Sequence, residues 1–408
     1  MKLIRTFHNV GHGAFYTERF YNEDNNAIFT AVYDCGAFKL NSLENIIRNY
    51  FREGDTIDFL FISHFHSDHI NGFNCLNQWC NIRHIVLPAL SNAMAIESYV
   101  YNYFENENAD CEANRFIETS YNAYQQLLGG NNNNPNTSPF VFIKESLEEQ
   151  ALDENNLIRE EQLYGILGNN AITIQIENVN WVYIPFNTHH ICFDNINRAT
   201  ILEVIRDIGK EIHIPTDEEL MPNGTINFNV LSHFLEQYKT NPNIENRELS
   251  INDIKKVYDE IFKKRHNSYS MPVYSGYKDI NLIKNYKSSD NAKIDIAKRN
   301  IDLNSEYSAC LYTGDFECTT DNKFWALCNY YNARMLTLNT IQVPHHGSFN
   351  NHKAELYQDS AYNIISVHSH KYGLPSADVM KDIMSYGGLP IIITNDINCK
   401  TIFNINNL

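Results

Sequence analysis

Residues 56–72 read TIDFLFISHFHSDHING, a nearly continuous apolar run that ends in a segment rich in histidine. The apolar run at residues 56–62 has the length and composition of a strand buried on both faces of a sheet. The histidine-rich segment comes where this strand gives way to a predicted helix, with Asp68 near the helix start. In open α/β sheets, ligands usually bind at this end of a strand.

Three imidazoles and one carboxylate fall within six residues of this segment, at His64, His66, Asp68 and His69. Imidazole nitrogen and carboxylate oxygen are ligands that Zn²⁺ and related cations prefer, and alternate residues leaving an extended strand point the same way. The alternative is a polar loop that is rich in histidine by chance, which the position after a buried strand disfavours. The spacing therefore predicts a metal site.

Length and composition predict a folded, acidic protein. Of 408 residues, 43% are hydrophobic and 12% aromatic, which is enough to bury a sizeable core. Lys and Arg total 32 against 49 acidic residues, so a net charge of −17 makes the average surface repel duplex DNA and anionic membranes. Nine dispersed cysteines without a CxxC pair, no signal-peptide core and no membrane-length apolar run predict a cytoplasmic protein with reduced thiols and no membrane partner.

Strand and helix patterns alternate in the first and last parts of the chain. KLIRTF and AIFTAVYDCG alternate like strands, residues 43–51 fit a helix, and SACLYTGD, TIQVPHHGS, YNIISVHSH and PIIITN each carry one apolar run. Between residues 190 and 303, helical patterns such as NVLSHFLEQYK dominate. We expect an α/β fold in which residues 1–189 and 304–408 form two halves of one domain and residues 190–303 form a helical insertion or cap.

Several short motifs accompany the histidine-rich segment. They are NVGHG at residues 9–13, VYDCG at 32–36, LYTGD at 311–315, VPHHGS at 343–348 and KYGLPS at 371–376. Together with HFHSDH they resemble the metallo-β-lactamase superfamily, and most closely the metallohydrolase domain of ComEC-type competence proteins and related phosphodiesterases. The resemblance covers residues 1–90 and 304–400, and it implies an αββα sandwich with a large, mostly helical insertion.

The resemblance implies two divalent metal ions as cofactors, Zn²⁺ with Mn²⁺ as the alternative. His64 and His66 would hold one ion. Asp68 and His69 would hold the second, and Asp315 would join the two. The complete set of implied metal ligands is His64, His66, Asp68, His69, Asp315 and His345.

The catalytic residues that the resemblance implies are Asp68 and His346. His346 would meet the substrate or its leaving group, while His345 holds metal. Ser348 is expected either to donate to a phosphate oxygen or to cap a turn. His12, in the glycine-punctuated NVGHG turn, is expected to face solvent rather than the metal cleft.

Two departures from the family pattern affect this interpretation. Leu374 stands where the family has a histidine, and His368 and His370 lie nearby. We expect His370 either to supply the missing imidazole or to face solvent in a loop. Many superfamily members also place a metal-binding histidine between the first motif and the TGD motif, for which the candidates are His84, His189 and His190.

The predicted activity is metal-dependent hydrolysis of a phosphodiester, as in a phosphodiesterase or nuclease acting through a metal-bound hydroxide. The expected partner is a phosphodiester substrate such as a nucleotide or single-stranded nucleic acid, with a protein partner or a second copy docking on the insertion. Two alternatives stay open: a hydrolase of esters, thioesters, lactones or amides, and a binding or regulatory protein that keeps the fold without efficient turnover. Leu374 motivates the last of these.

Overall fold

The chain forms two mixed β-sheets with helices on their outer faces in a computed structural model. The structure describes residues 1–106, 110–129, 139–145, 152, 157–188, 216–240, 270–280, 293–295, 300–304, 308–358, 360–368, 373–396, 398–406 and 408.

The first half of the chain supplies the strands and helices that carry the histidine-rich segment. Its strands are β1 (Lys2–Phe7), β2 (Phe15–Tyr21), β3 (Ala27–Cys35), β4 (Thr56–Phe61), β5 (Asn81–Pro88), β6 (Phe140–Ile143), β7 (Leu157–Arg159), β8 (Gly165–Leu167), β9 (Ala171–Ile176) and β10 (Val179–Pro185). Its helices are α1 (Leu40–Tyr50), α2 (Ser67–Ile70), α3 (Phe73–Trp79), α4 (Asn92–Asn106) and α5 (Glu112–Leu128).

The second half returns to both sheets. Its strands are β11 (Val273–Tyr277), β12 (Lys293–Asp295), β13 (Asn300–Asn304), β14 (Ala309–Tyr312), β15 (Leu338–Gln342), β16 (Tyr362–Ser366), β17 (Leu389–Ile393) and β18 (Thr401–Asn406). Its helices are α6 (Asp217–Leu220), α7 (Phe228–Thr240), α8 (Asp321–Tyr331) and α9 (Ala377–Ser385). Short 3₁₀ turns include Pro344–Gly347 and Phe349–Asn351.

The order of strands in each sheet brings sequence-distant motifs to neighbouring positions. The first sheet runs β12-β13-β18-β1-β2-β3-β4-β5-β6-β8, with β3, β4, β5, β6 and β8 mutually parallel. The second runs β17-β16-β15-β14-β11-β10-β9-β7, with β14 to β17 mutually parallel. The ends of β3 and β4 in one sheet and of β14 and β15 in the other carry the predicted site motifs.

The hydrophobic core has three parts, which define four layers. Between the sheets, aromatic side chains such as Phe7, Tyr33 and Trp181 pack together. The outer face of the first sheet packs against α1, α3, α4 and α5, and the outer face of the second packs against α8 and α9. The molecule is therefore an α/β protein with sheets inside and helices outside.

The histidine-rich segment follows the predicted local structure. β4 spans Thr56–Phe61 and is buried from Ile57 onward, as the apolar run predicts for a strand with neighbours on both faces. The helix predicted at residues 43–51 is α1, Leu40–Tyr50, whose buried face carries Leu43 and Ile47.

The described part of residues 190–303 is not only helical, in contrast to the predicted helical insertion. Residues 216–240 contain helices α6 and α7, but β11 lies within the second sheet between β10 and β14, and β13 pairs with β18 in the first. A contact of Ser275 helps to hold β11 in the second sheet. Its buried hydroxyl donates to Glu18 on the facing sheet at 2.7 Å. Parts of this range therefore belong to the sheets, which a local pattern cannot reveal.

Within the described residues, no helix combines the length and the apolar character that crossing a membrane requires.

Candidate metal centre

The histidine-rich loop between β4 and α3 is held from two sides. Helix α4 lies over it: Asn102 donates to the carbonyl of Phe65 at 2.9 Å and accepts from the backbone N–H of Ser67 at 2.8 Å. On the other side, Gly72 N–H donates to the carbonyl of Cys35 at 2.8 Å, at the end of β3. These contacts fix the loop backbone, and with it the directions of the histidines.

One cluster joins this loop to the TGD motif of the other sheet. Ligand atoms of His64, His69 and Asp315 lie within 4.8 Å of one another, and all three residues are buried. His69 Nε2 lies 3.2 Å from Asp315 Oδ1, and His64 Nε2 lies 3.8 Å from Asp315 Oδ2. Residues about 250 positions apart in the sequence thus converge on one point.

A second cluster adjoins the first. His346 Nε2 lies 3.3 Å from Asp68 Oδ2 and 3.9 Å from Asp315 Oδ1. His12 also belongs to this cluster, since its Nε2 lies 3.8 Å from Asp68 Oδ2 and its ring centroid lies 3.8 Å from that of His346. His12 was expected to face solvent, but its side chain is 13% exposed and faces Asp68 and His346.

The two histidines of the HHG turn have different surroundings. His345 and His346 both adopt left-handed backbone conformations, with φ of 44° and 55°, which are costly for non-glycine residues and need support from the surrounding structure. The side chain of His346 is 3% exposed, whereas that of His345 is 32% exposed, with its Nε2 3.7 Å from Asp315 Oδ2. His346 is therefore the inner imidazole and His345 the one at the rim.

Hydrogen bonds to Asp34 and Ser63 set the tautomers of the loop histidines. Asp34 accepts from the backbone N–H and the hydroxyl of Ser63, both at 2.7 Å, and from His69 Nδ1–H at 2.8 Å. Because the Ser63 hydroxyl donates to Asp34, it accepts from His64 Nδ1–H at 2.9 Å. In their neutral forms both imidazoles therefore keep a lone pair on Nε2, the atom that faces Asp315.

The same arrangement holds for the HHG turn. His346 Nδ1–H donates to the carbonyl of Ser366 at 2.8 Å, and His345 Nδ1–H donates to Asn351 Oδ1 at 2.7 Å. The amide of Asn351 donates in turn to the carbonyl of Asp315 at 3.1 Å. Histidines that bind metals typically donate their other ring N–H to such acceptors, so this donor set fits divalent cations of the Zn²⁺ type.

The electrostatics of the cluster favour positive charge. Burial alone would raise the pKa values of Asp68 and Asp315, but the facing imidazoles lower both below the ordinary range. Burial alone would lower the pKa of His69, but Asp315 and Asp68 raise it well above its ordinary value. Burial lowers the pKa of His64, and lowers that of His12 to about 3. A bound cation would displace the second proton that His69 takes up and leave ionised carboxylates among neutral imidazoles, the form in which such residues bind metals.

His66 lies beside His64, with ring centroids 4.7 Å apart, but it turns toward helix α4. Its ring stacks on that of Tyr101 at 4.0 Å, and its Nε2 lies 3.8 Å from Oε1 of the buried Glu97. The resemblance pairs His66 with His64 in one metal site, whereas the geometry groups His64 with His69 and Asp315. Glu97 and Tyr101 carry no local sequence signal that marks them as neighbours of the site.

Gln342 is a residue that the sequence analysis missed. Its Oε1 accepts from the backbone N–H groups of Thr313 and Gly314 at 2.8 and 2.6 Å, and so holds the TGD turn. Ser270 supports the same turn, since its hydroxyl accepts from the N–H of Asp315 at 2.9 Å. The sequence signal for Gln342 is an amide side chain between the apolar residues of TIQV, shortly before the HHG turn.

The remaining predicted residues have varied positions. Leu374 is partly buried against the hydrophobic cluster on the outer face of the second sheet. The backbone N–H of Ser348 donates to the carbonyl of His345 at 2.9 Å, which closes the turn. His84 lies on β5 with its ring against Phe59 at 5.6 Å. His189, His190 and His370 lie outside the described residues.

No protein-family model matches this chain, and no curated protein matches it in sequence.

Proposed function

We propose that this chain is a metal-dependent hydrolase of the metallo-β-lactamase fold that binds two divalent cations and cleaves phosphodiesters. The observation that carries the proposal is the convergence of His64, His69 and Asp315 within 4.8 Å, from two sheets and two distant motifs. Buried carboxylates and imidazoles are brought together in this way at metal sites, since without a cation their burial is costly.

The layering of the molecule supports the fold assignment. The superfamily that the motifs resemble has two sheets between outer helices, and the described part of this chain has two mixed sheets with helices on both outer faces. Four of the motifs that carry the resemblance, VYDCG, HFHSDH, LYTGD and VPHHGS, lie at the ends of β3, β4, β14 and β15.

Each residue of the centre has a role in the proposed reaction. Divalent cations bound there would activate a water molecule for attack and polarise a phosphoryl oxygen. His64, His69 and Asp315 would hold one cation, with tautomers that Asp34 and Ser63 fix. In this assignment His346, the buried imidazole, takes a place among the ligands beside Asp68.

His345 would be the residue that meets the substrate, because it is the more exposed imidazole of the HHG turn. Its Nδ1–H is held by Asn351, so Nε2 faces the cleft, where it would contact a phosphoryl or leaving-group oxygen. This reverses the roles that the resemblance implies for His345 and His346, and the exposed fractions of 32% and 3% are the reason.

Local charge reconciles an anionic substrate with an acidic chain. The net charge of −17 is spread over the whole molecule, and salt screens charges more than about 8–10 Å away. Two divalent cations would exceed the negative charge of Asp68 and Asp315 at the cleft itself. Nucleotides and single-stranded nucleic acids are the expected substrate class.

The test is turnover of bis(p-nitrophenyl) phosphate by metal-free protein after addition of Zn²⁺ or Mn²⁺. We expect activity that depends on the metal and that Asp315→Asn lowers by at least about 100-fold, since loss of a ligand exceeds the effect of losing an outer-shell partner. Asp302→Asn, at an exposed position of β13, is the matched control and should keep wild-type activity.

Other outcomes would redirect or overturn the proposal. Metal-dependent turnover of a thioester or lactone, with no phosphodiester cleavage, would replace the substrate class and keep the metal centre. A protein that binds neither Zn²⁺ nor Mn²⁺ would overturn the proposed hydrolase.

A further inference from the structure

The NVGHG turn between β1 and β2 is built directly against the backbone of the histidine-rich loop. The N–H of Ala14 donates to the carbonyl of Asp68 at 3.2 Å, and the N–H of Gly36 donates to the carbonyl of Ala14 at 2.9 Å. The carbonyl of His12 accepts from the N–H of Phe38 at 2.8 Å. The turn that carries His12 is thus tied to both β3 and the loop of Asp68.

Glycines permit this close approach. Gly13 has φ of +130°, and a Cβ added there would lie 2.7 Å from the carbonyl oxygen of Asp68. Gly11, on the other side of His12, has φ of +77°. Left-handed backbone on both sides of one residue is a conformation that glycine adopts without steric cost. The glycines therefore place the side chain of His12 over Asp68.

The side chain of His12 completes a set of three donors. Ligand atoms of His12, Asp68 and His346 lie within 4.8 Å of one another, and the three residues come from three separate segments of the chain. His346 is held in this position by its hydrogen bond to the carbonyl of Ser366. Two imidazoles and one carboxylate are a donor set typical of catalytic zinc sites.

We infer that His12 is a metal ligand, and that His12, Asp68 and His346 together hold the second of the two cations. This inference rests on the proposed function and adds to it a ligand that lies outside the HxHxDH, TGD and HHGS motifs. It also divides the centre into two sets of donors, the other set being His64, His69 and Asp315, whose Oδ1 lies 3.9 Å from Nε2 of His346. The NVGHG motif then has a function, because its glycines bring a ligand to the second cation.

The test measures binding rather than activity. Metal-free wild-type protein, His12→Gln and His12→Ala are dialysed to equilibrium against Zn²⁺ at a series of concentrations, and bound zinc is determined by elemental analysis. His84→Gln, on β5 against Phe59, is the matched control. Circular dichroism and urea unfolding of each metal-free variant establish that the fold is retained.

We expect two bound Zn²⁺ ions in the wild type and in His84→Gln. In both His12 variants, one ion should bind with unchanged affinity and the other at least about 10-fold more weakly, the smallest effect expected even for an outer-shell partner. Two ions bound to folded His12 variants with wild-type affinity would overturn the inference and leave the proposed function standing. Equal weakening of both ions would overturn the division into two sets. A wild type that binds no Zn²⁺ would overturn the inference and the proposed function together.

Discussion

Asp34 orders the candidate metal centre without facing the cleft itself. Its backbone is in the left-handed region at φ 55°, and its buried carboxylate accepts from the backbone and hydroxyl of Ser63 and from His69. Through Ser63 it also sets the tautomer of His64. This network contributes to stability, because each buried polar group left without a hydrogen-bond partner costs about 1–3 kcal/mol.

Asp34→Asn tests this role at a backbone position that asparagine tolerates. The amide that replaces one carboxylate oxygen cannot accept, so His69 Nδ1–H or a Ser63 donor loses its acceptor. We expect Zn²⁺ affinity to fall by about 10- to 100-fold and the free energy of unfolding to fall by about 1–3 kcal/mol. A chelator-competition titration and urea unfolding measure the two effects.

The matched control is Asp24→Asn, at an exposed position in the turn between β2 and β3, which should change neither quantity. If Asp34→Asn binds Zn²⁺ as tightly as the wild type, then Asp34 does not set the ligand tautomers.

At the scale of elements, the end of β3 lies directly against the backbone of α2, the short helix that carries Asp68 and His69. A Cβ added at Gly36, directly after β3, would overlap the carbonyl group of Asp68 and the backbone nitrogen of His69. Neither of these is a flexible side-chain atom, so the histidine-rich loop itself would have to move. The close approach of the histidine-rich loop to the end of β3 therefore requires glycine at position 36.

Gly36→Ala should lower the free energy of unfolding by about 3 kcal/mol, the upper end of overpacking costs, and weaken Zn²⁺ binding. Gly129→Ala is the control, because the nearest atom to an added Cβ there is 3.5 Å away. We expect that control to stay within about 0.5 kcal/mol of the wild type. Urea unfolding followed by circular dichroism compares the two variants, and equal stability would contradict the packing argument.

At the scale of the whole molecule, a buried polar network joins the two sheets. Glu18 on β2 accepts from Arg5 at 2.7 Å and, from the facing sheet, from Tyr183, Ser275 and Tyr312 at 2.7, 2.7 and 2.9 Å. The Arg5 and Glu18 side chains are 0% and 3% exposed. The alignment of the sheets, and so of the two halves of the metal centre, depends on this network.

Glu18→Gln should lower the free energy of unfolding by about 3–5 kcal/mol, because it leaves the guanidinium of Arg5 buried without its counter-charge. The control is Asp110→Asn, which removes the charge from the exposed ion pair with Arg115 and should lower the stability far less. Similar losses in both variants, measured by urea unfolding, would mean that the buried pair does not hold the sheets together.

His8 makes the stability of the whole molecule depend on pH. It is buried between Phe15 and Tyr50, and burial, with smaller effects of Lys400 and Arg19, lowers its pKa to about 3. The unfolded chain has the ordinary value of about 6.5, so between these two values only the unfolded state takes up the proton. Stability from neutral His8 is therefore complete above about pH 6.5 and is lost as the pH falls toward 3.

His8→Gln removes this titration. Between about pH 7.5 and about pH 5, we expect the wild type to lose about 2 kcal/mol more stability than the variant. Urea unfolding of both proteins at the two pH values measures the difference. A constant difference between wild type and variant would show that His8 takes up its proton in the folded state as well.

The sequence by itself determined the local features of this protein. The apolar run that became β4, the helix α1 and the cluster of donors at a strand end are contiguous in the chain, so periodicity and spacing predict them. The predicted meeting of Asp315 with His64 and His69 came from the family resemblance of the TGD and HxHxDH motifs.

Only the tertiary structure decided how the donors are grouped. The direction of His12, the pairing of His346 with Asp68, the support from Gln342 and the place of β11 inside a sheet all depend on contacts between distant segments. Such contacts follow from how two sheets align across a shared core. No window of the sequence contains both partners, and for that reason local patterns predicted the donors but not their arrangement.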